Sequence, residues 1–385
     1  MALSPKSENK SYLFMFAILV ISSIYTTFIS SNTTMAVVLC IVPIAWLLVQ
    51  TVNHLKVNVF FFIWVCWNLL NILHMSFDSN SYFFRVLIFQ NIVIGLIFFA
   101  SQYSCSSIQF EATYKVINSF TIVLCFVEIF FSITGRTEGF SFVLFGLMYF
   151  FICEKGKKRY IKLVLMTIAF LFGKSRSSIL MLFCCLLFCY VFKKVRKNKV
   201  WYKITFWIVA LIVCLIPYGY VCLYRSSFRN YLNNLSRSIF GKNFFSGRNI
   251  LWVQIYEWLE QHNLLWGIGS EFVGGTYSEQ LGASTHNVIL FLLGQGGLIL
   301  VFLFFIMLYK IYMLFFKYLD DPIVLAGSAF LLGLMIRSCF DLILIANQFV
   351  PSMYAWLSIC MVLSYCNYLK KVRQISNTKC EAEYR

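Results

Sequence analysis

The segment that decides how this chain is organised reads SGRNILWVQIYEWLEQHNLLWGIGSEFVGGTYSEQLGASTHNVILFLLGQGG and covers residues 246–297. It is a long polar interruption between apolar runs, and it carries Arg248 near one end and His286 near the other. The sequence on either side consists mainly of long apolar stretches. We therefore expect the chemistry of the protein to take place in and around this segment.

The composition is that of an integral membrane protein. Hydrophobic residues make up 60% of the 385 residues, charged residues only 12%, and the mean hydropathy is +0.78. Apolar runs of roughly 17 to 25 residues recur, each long enough to cross the membrane as a helix, whereas a β-barrel would show short alternating strands. The net charge of +17 lies in short clusters between these runs, which is typical of membrane topology and argues against a nucleic-acid partner.

The apolar runs predict an all-α integral membrane protein with about twelve transmembrane helices and one large extracytoplasmic loop. About two thirds of the Lys and Arg residues fall in alternate loops, so that side is expected to be the cytoplasm, with both termini in it. The helices are predicted at residues 12–30, 35–51, 57–74, 82–101, 114–134, 139–153, 160–173, 177–192, 201–222, 287–309, 323–345 and 350–369. The corresponding regions are helices 1–9 in residues 1–222, the loop in 223–286, helices 10–12 in 287–370, and a cytoplasmic tail in 371–385.

Within the loop, residues 248–261 have a helical period. Leu251, Trp252, Ile255 and Leu259 share one face, while Asn249 and the Gln and Glu residues share the other. Such a helix is expected to lie along the membrane interface, and suitable aromatic anchors are Trp252, Trp258 and Trp266.

Arg248 and His286 are the two candidate catalytic residues of the loop. With Ser246 as N-cap, the free N–H groups of the helix lie beside Arg248 and form an anion site; the alternative is an arginine that reaches toward lipid headgroups. Ser284 and Thr285 precede the next apolar run, which puts His286 in the first turn of the tenth helix. Gly294, Gly296 and Gly297 follow, and they would let another helix approach closely. A structural histidine is the alternative.

Ionisable residues inside apolar runs are few, and with this topology each falls in the outward half of its helix. Together with Arg248 and His286 they are predicted to line one polar cavity that opens outward. For Arg337 and Asp341, which are four residues apart, a purely structural ion pair is the alternative. Lys174 and Arg176 lie in the tight outer turn GKSRSS. They are predicted to bind phosphate, and the alternative is that they only flank the membrane. The ionisable residues within apolar runs are Arg85, Glu128, Arg176, Arg337 and Asp341.

Arginines and a histidine at an outer interface suit a substrate with a lipid tail and a diphosphate. Arginine binds phosphate oxygens bidentately and could stabilise a departing pyrophosphate without a metal. Histidine titrates near neutrality and could take the proton from an attacking sugar hydroxyl. The sequence contains no HExxH, P-loop, dinucleotide fingerprint or GxSxG, so neither a metal nor another cofactor is expected. The loop glutamates remain alternative bases: Glu257, Glu260, Glu271 and Glu279.

At four places the sequence resembles the O-antigen polymerase and O-antigen ligase superfamily of bacterial surface polysaccharide assembly. SRSS at 175–178 is similar to the family's arginine after a helix end, and SGRNILW at 246–252 to its loop arginine. GIG at 267–269, and STHN at 284–287 followed by GQGG, are similar to its later loop and helix. Two features depart from the family: the proline that often precedes the GIG-like segment is missing, and Thr285 or Ser284 stands where ligases often have a second histidine.

The resemblance implies a metal-independent glycosyltransferase of the GT-C type that uses undecaprenyl diphosphate-linked glycan as donor. Arg176 and Arg248 would grip the diphosphate, and His286 would activate or orient the acceptor. Substrate contacts are further predicted for Lys174, Asn287, Arg337, Asp341 and Arg85. The expected partners are undecaprenyl diphosphate-linked oligosaccharide, membrane lipid, and a chain-length regulator and a flippase of the same pathway.

Polymerase is the function favoured by the sequence: one lipid-linked repeat unit attacks the reducing-end sugar of another chain in the plasma membrane. A ligase would run the same displacement with lipid A-core as acceptor. A flippase for lipid-linked oligosaccharide is a further alternative, but it predicts repeated halves and ionisable groups near the bilayer midplane. A membrane scaffold without catalysis would tolerate substitutions at Arg248 and His286.

Overall fold

The computed structural model describes residues 55–75, 81–133, 157–172, 176–241, 243–245, 247–274, 285–342 and 349–383, with residues 45, 49, 277, 344 and 345. Within these ranges the regular structure is all α-helix. Its helices are α1 (Val59–Leu73), α2 (Ser81–Ala100), α3 (Ser107–Ile133), α4 (Lys157–Phe172), α5 (Arg176–Val195), α6 (Lys199–Arg225), α7 (Arg229–Phe240), α8 (Arg248–Glu260), α9 (Ser270–Gly274), α10 (Val288–Phe316), α11 (Pro322–Arg337) and α12 (Phe349–Glu383).

Four of these helices are long and apolar enough to cross a membrane, namely α5, α6, α10 and the Tyr82–Ala100 part of α2. Shorter apolar helices occur at α1, at α11 and in Tyr160–Ala169 of α4. The runs at 12–30 and 139–153, and most of 35–51, lie outside the described residues. An all-helical membrane protein is thus supported, and the number of about twelve spans stays a prediction.

The helix predicted at 323–345 ends earlier than expected, at Arg337. Ser338 caps it, since its backbone N–H donates to the carbonyls of Ile336 and Leu334 and its hydroxyl donates to that of Met335. The chain then turns, and Val288 N–H at the start of α10 donates to the carbonyl of Ser338 at 3.0 Å. Asp341 therefore lies after the end of α11, and a backbone hydrogen bond connects the end of α11 to the beginning of α10.

Helix α10 is the centre of the described bundle. It packs against α1, α6, α8, α9, α11 and α12, and most of its side chains from Val288 to Phe315 are buried. One end of this bundle, which we call the loop end, contains α7, α8, α9 and the segment 285–288. At the other end, which we call the basic end, Arg196 pairs with Asp320 at 3.4 Å and Arg373 stacks on Tyr318. The site described below lies at the loop end.

A kink interrupts α10 at Gly296 and Gly297, whose backbone angles are not helical. The predicted close approach takes place here, and two elements make it: the short helix α9 packs Phe272 against Gly294, and the loop segment 264–269 lies against Gly297. Ile268 and Gly269 N–H groups donate to the Gly294 carbonyl, and Leu298 N–H donates to that of Leu264 at 3.0 Å. The GIG and GQGG segments of the sequence therefore contact each other and fix the loop on the bundle.

Gly297→Ala is expected to destabilise the protein by about 2–4 kcal/mol, because φ +64° and ψ −160° form a conformation that side chains rarely adopt. A β-carbon at this position would also collide with the Leu265 carbonyl. The matched control is Gly219→Ala in α6, where a β-carbon meets nothing within 4 Å and helix propensity improves. Thermal unfolding in detergent measures both. Equal melting temperatures for the two variants would contradict the assigned packing of the kink.

Candidate active site

Arg176 is the first residue of α5, and it joins that helix to the segment between α7 and α8. Its Nη1 donates to Ser236 Oγ and to the Asn243 carbonyl, both at 3.0 Å. Ser236 lies on α7, so one guanidinium group holds three parts of the loop end together. Lys174, the other cation predicted for this turn, lies outside the described residues.

The residues just before α8 are held from the opposite side by Tyr220 of α6. The Tyr220 hydroxyl lies 2.6 Å from the Phe245 carbonyl and 3.0 Å from the Phe244 carbonyl. Arg248 N–H in turn donates to the Phe245 carbonyl at 3.1 Å. Tyr220 and Arg176 thus clamp residues 243–245, and this clamp fixes the point at which α8 begins.

Arg248 opens α8, as the loop periodicity predicts, but the N-cap is Gly247 and not Ser246. Gly247 has φ 79° and offers no side-chain cap, while Ser246 lies outside the described residues. Burial lowers the pKa of the Arg248 guanidinium, while Tyr220 and Asp341 raise it and Arg176 lowers it. Arginine stays protonated at neutral pH, so two like charges of the same site remain close together.

Arg176 and Arg248 line one cavity of about 350 Å³. Tyr220, Phe244 and Phe340 form further parts of its wall. Most of the remaining lining is apolar and comes from α5 and α7: Ile179, Leu180, Leu232, Leu235 and Ile239. The cavity therefore combines two guanidinium groups with aliphatic walls, which suits an anionic group that carries an apolar chain.

Helix α8 runs from Arg248 to Glu260, as the loop periodicity predicts, but its predicted faces need correction. Trp252 is fully buried and Trp258 is 8% exposed, so neither is an interfacial anchor. Asn249, expected on the polar face, is buried as well. The reason is that α8 packs against both α6 and α10, whereas an interfacial helix would bury one face only. Trp266, which is 41% exposed, remains suitable as an anchor.

Trp252 connects α8 to the segment that carries His286. Its indole Nε1 donates to the Thr285 carbonyl at 2.8 Å, and the Thr285 hydroxyl donates to the Asn287 carbonyl at 3.2 Å. Both residues are buried. The two ends of the polar loop, 248 and 286, are therefore joined by a hydrogen bond from a core tryptophan.

His286 lies before α10 and not in its first turn, because Asn287 is the N-cap. Asn287 Oδ1 accepts from Leu290 N–H at 2.9 Å, and its Nδ2 donates to the Cys339 carbonyl at 2.8 Å. His286 has φ 51°, the one positive φ of a non-glycine residue among the described residues. Such a conformation is uncommon and is retained where the surroundings fix it. Asn287 is fully buried and holds this peptide, and its predicted contact with substrate stays a prediction.

The electrostatic surroundings of His286 favour its neutral form. Burial lowers its pKa, Arg248 lowers it further, and Asp341 raises it. Arg248 and Asp341 also interact with each other, since the Asp341 carboxylate raises the pKa of Arg248. Arg248, His286 and Asp341 therefore form one electrostatic group, and its imidazole is able to accept a proton at neutral pH.

Arg337 and Asp341 form an ion pair with a distance of 3.5 Å between Nη2 and Oδ2. The Arg337 side chain is 3% exposed and that of Asp341 14% exposed. The Nε and Nη1 atoms of Arg337 have no hydrogen-bond partner within the part of the chain that the structure describes. Asp341 thus neutralises a buried cation on one side and acts on His286 on the other.

Arg85 does not join this group in the described structure. It is an exposed residue of α2, and its guanidinium carbon lies 5.8 Å from the ring centre of Tyr82. It is not part of the cavity wall, and neither are His286, Arg337 and Asp341; of the ionisable residues predicted to share one cavity, Arg176 and Arg248 line it. The side chain of Glu128 lies outside what the structure describes. Sequence reasoning in turn missed Tyr220, Phe244 and Phe340, which resemble ordinary aromatic residues of apolar segments.

A comparison with known protein families found a match that covers the candidate catalytic residues. Residues 161–305 match a family model described as O-Antigen ligase. This match supports the O-antigen polymerase and ligase superfamily. The resemblance predicted from the four short segments is confirmed at this level, and the superfamily implies a membrane enzyme of the glycosyltransferase kind that uses lipid-linked glycans. The match spans Arg176, Arg248 and His286. No curated protein matches the chain.

Trp252→Phe is expected to slow catalysis by about 10- to 100-fold, because a small displacement of a reacting group is costly. The substitution removes the donor to the Thr285 carbonyl and frees the His286 peptide, and it lowers stability by about 2–4 kcal/mol, because a buried carbonyl loses its donor and a buried side chain becomes smaller. Trp266→Phe, on the exposed turn after α8, is the control. Rates with a lipid-linked substrate and melting temperatures of both variants are compared. A normal rate for Trp252→Phe would show that this hydrogen bond does not position His286.

Proposed function

We propose that the protein is a polysaccharide polymerase of the bacterial envelope. It transfers an undecaprenyl diphosphate-linked glycan onto a sugar hydroxyl of another lipid-linked repeat unit. The observation that carries this proposal is the cavity in which Arg176 and Arg248 face aliphatic side chains of α5 and α7. A polyprenyl diphosphate has the same division into a charged head and an apolar tail.

In the proposed reaction the acceptor hydroxyl oxygen attacks the anomeric carbon of the donor sugar. The bond between that carbon and the diphosphate oxygen breaks, and the bonding electrons leave with undecaprenyl diphosphate. Arg176 and Arg248 stabilise the negative charge that develops on the leaving oxygen, without a metal ion. The acceptor proton passes to His286. The polymer grows by one unit and the lipid diphosphate is released.

His286 is proposed as the base because of its place in the charge arrangement. Its neutral form is favoured by burial and by Arg248, the same arginine that is assigned to the leaving group. Glu257 is exposed and pairs with Arg225 at 3.8 Å, and Glu260 is exposed as well. Their exposure favours a role at the surface of the loop over a role as the base. Glu279 lies outside the described residues.

The proposed location is the plasma membrane, with the site at its outer face and both termini in the cytoplasm. Two observations support it: the loop end holds the cavity, and lysines of α5 and α12 lie toward the basic end, as in loops that stay in the cytoplasm. A lipid-linked substrate then has to reach the outer leaflet, so a flippase is a proposed partner. A chain-length regulator is a second one.

An O-antigen ligase is the second candidate, because the matching family model carries that description. It would use the same diphosphate grip and a lipid A-core acceptor. The polymerase is favoured because Thr285 or Ser284 stands where ligases of the superfamily often have a second histidine. In this chain the Thr285 side chain is buried and bonded to the Asn287 carbonyl, so it serves the geometry of the peptide rather than a second proton transfer.

The test is a gel analysis of surface polysaccharide and of lipid-linked intermediates in a strain that lacks this gene. The strain carries either the wild type or Arg176→Ala. A polymerase predicts a ladder with the wild type and a single repeat unit with an empty vector, while Arg176→Ala shortens or removes the ladder. Long polymer that accumulates on undecaprenyl diphosphate without the gene would establish the ligase instead. A pattern unchanged by deletion would refute both.

A further inference from the structure

A second cavity lies at the basic end of the bundle, far along α10 from the site described above. It has a volume of about 400 Å³ and lies where the beginnings of α1 and α6 meet the last turns of α10. Both α1 and α6 pack on α10. Its wall holds three lysines, Lys199, Lys310 and Lys317, and four apolar residues, Val59, Met313, Leu314 and Phe316.

The three lysines are not neutralised by neighbouring carboxylates. Within the described part of the chain none of them takes part in an ion pair, and all three are exposed. The two aspartates of this end are engaged elsewhere. Asp320 pairs with Arg196, while Asp321 caps α11 and accepts a hydrogen bond from the Tyr365 hydroxyl. The cavity therefore keeps a concentrated positive charge that an anion can use.

Further features place this cavity at the level of lipid headgroups. Trp201 and Trp207 on α6 are more than 45% exposed, which suits the membrane interface. Lys310 is seven residues before Lys317, so both lie on one face of α10 with Met313 and Leu314 between them. Lysine stems cover apolar surface while the ammonium groups reach water. Ammonium groups above apolar walls form a site for a molecule with a charged head and a hydrocarbon chain.

We propose that this cavity binds an anionic phospholipid, with its phosphate held by Lys199, Lys310 and Lys317 and an acyl chain lying against Val59 and Leu314. Basic pockets between transmembrane helices are known sites for phosphate-bearing lipid headgroups. The ligand chemistry is a phosphate ester, and the apolar wall selects the lipid over a free phosphate. The site is separate from the diphosphate site at the loop end and does not depend on the function proposed for it.

The test is lipid binding to the full-length protein in detergent, measured by native mass spectrometry and by thermal unfolding. Phosphatidylglycerol is titrated against phosphatidylcholine with the same acyl chains and against inorganic phosphate. The wild type is expected to bind phosphatidylglycerol and to gain thermal stability. Replacing the three lysines by glutamine is expected to weaken this binding by about 100-fold, since each lysine near a membrane surface contributes about fivefold.

The matched control replaces three exposed lysines of the same end that do not line the cavity, namely Lys193, Lys194 and Lys371. This variant loses the same charge and is expected to keep its affinity for phosphatidylglycerol. Three results would each overturn the proposal: equal weakening in the control, equal binding of phosphatidylcholine, or the same stabilisation by inorganic phosphate alone. If the lysine variant fails to fold, the single variants Lys310→Gln and Lys317→Gln are titrated instead, and unchanged affinity in both would refute the site.

Discussion

Arg248→Ala is expected to reduce glycan transfer by about 100- to 1,000-fold, which is the effect of removing one group that stabilises a developing negative charge. Arg248 lines the cavity together with Arg176 and lies in the electrostatic group of His286. Without its guanidinium the leaving diphosphate keeps one cation instead of two. The measurement is the rate of polymer formation by the purified protein with a lipid-linked repeat unit as substrate.

Two control variants make this prediction specific. Arg225→Ala removes an exposed loop arginine that pairs with Glu257 at 3.8 Å, and it is expected to leave the rate within a factor of about 3, because surface pairs contribute little. Arg248→Lys keeps the charge but loses the bidentate geometry, so an intermediate rate is expected. Should Arg248→Ala and Arg225→Ala show equal rates, Arg248 would have no role in the diphosphate site.

The sequence predicts that Arg248 and His286 belong to one site, and in the structure Arg248 lies close enough to lower the pKa of His286, although 37 residues separate the two in sequence. The inference used local signals: the period of residues 248–261, the polar interruption, and the apolar run that begins near 288. Helices α8 and α10 follow these signals closely. Local periodicity determines where a helix begins and which residues lie at its ends, so both candidates were found at helix starts.

The surroundings of these helices could not be predicted in the same way, as Trp252 shows. The position of Trp252 in the helical period of residues 248–261 and its aromatic side chain are equally compatible with a membrane interface and with a protein core. What decides is that α6 and α10 cover α8 on two sides, and this arrangement depends on contacts between residues distant in sequence. For the same reason Tyr220, whose hydroxyl holds the Phe244 and Phe245 carbonyls, could not be distinguished from any other tyrosine of an apolar helix.

His286 is an intermediate case. The histidine was identified, but the expected position in the first turn of α10 was wrong, because Asn287 provides the cap and its amide also binds Cys339 after α11. A signal for this was present in the sequence, since asparagine is a preferred N-cap. The positive φ of His286 follows from the two anchors on either side, at Thr285 and at Asn287, and only the folded chain shows both.

Removing the His286 side chain is expected to have the second large effect and to leave a characteristic pH dependence. His286→Gln should slow transfer by about 100- to 10,000-fold, the usual range for loss of a general base. Burial and Arg248 lower the pKa of His286, so the imidazole is neutral at pH 7. The wild-type rate should therefore be constant near neutrality and fall only when the pH drops below the ordinary histidine value of about 6.5.

The direction in which this acid limb moves provides the decisive control. Asp341 raises the pKa of His286, so removing its charge should shift the limb to lower pH. Asp341 also neutralises buried Arg337, and a single Asp341→Asn would leave that cation unpaired at a cost of about 3–5 kcal/mol. The double variant Arg337→Met with Asp341→Asn avoids this cost. A limb that stays in place in the double variant, or that persists in His286→Gln, would show that another group titrates, and the base would then have to be sought among the loop glutamates.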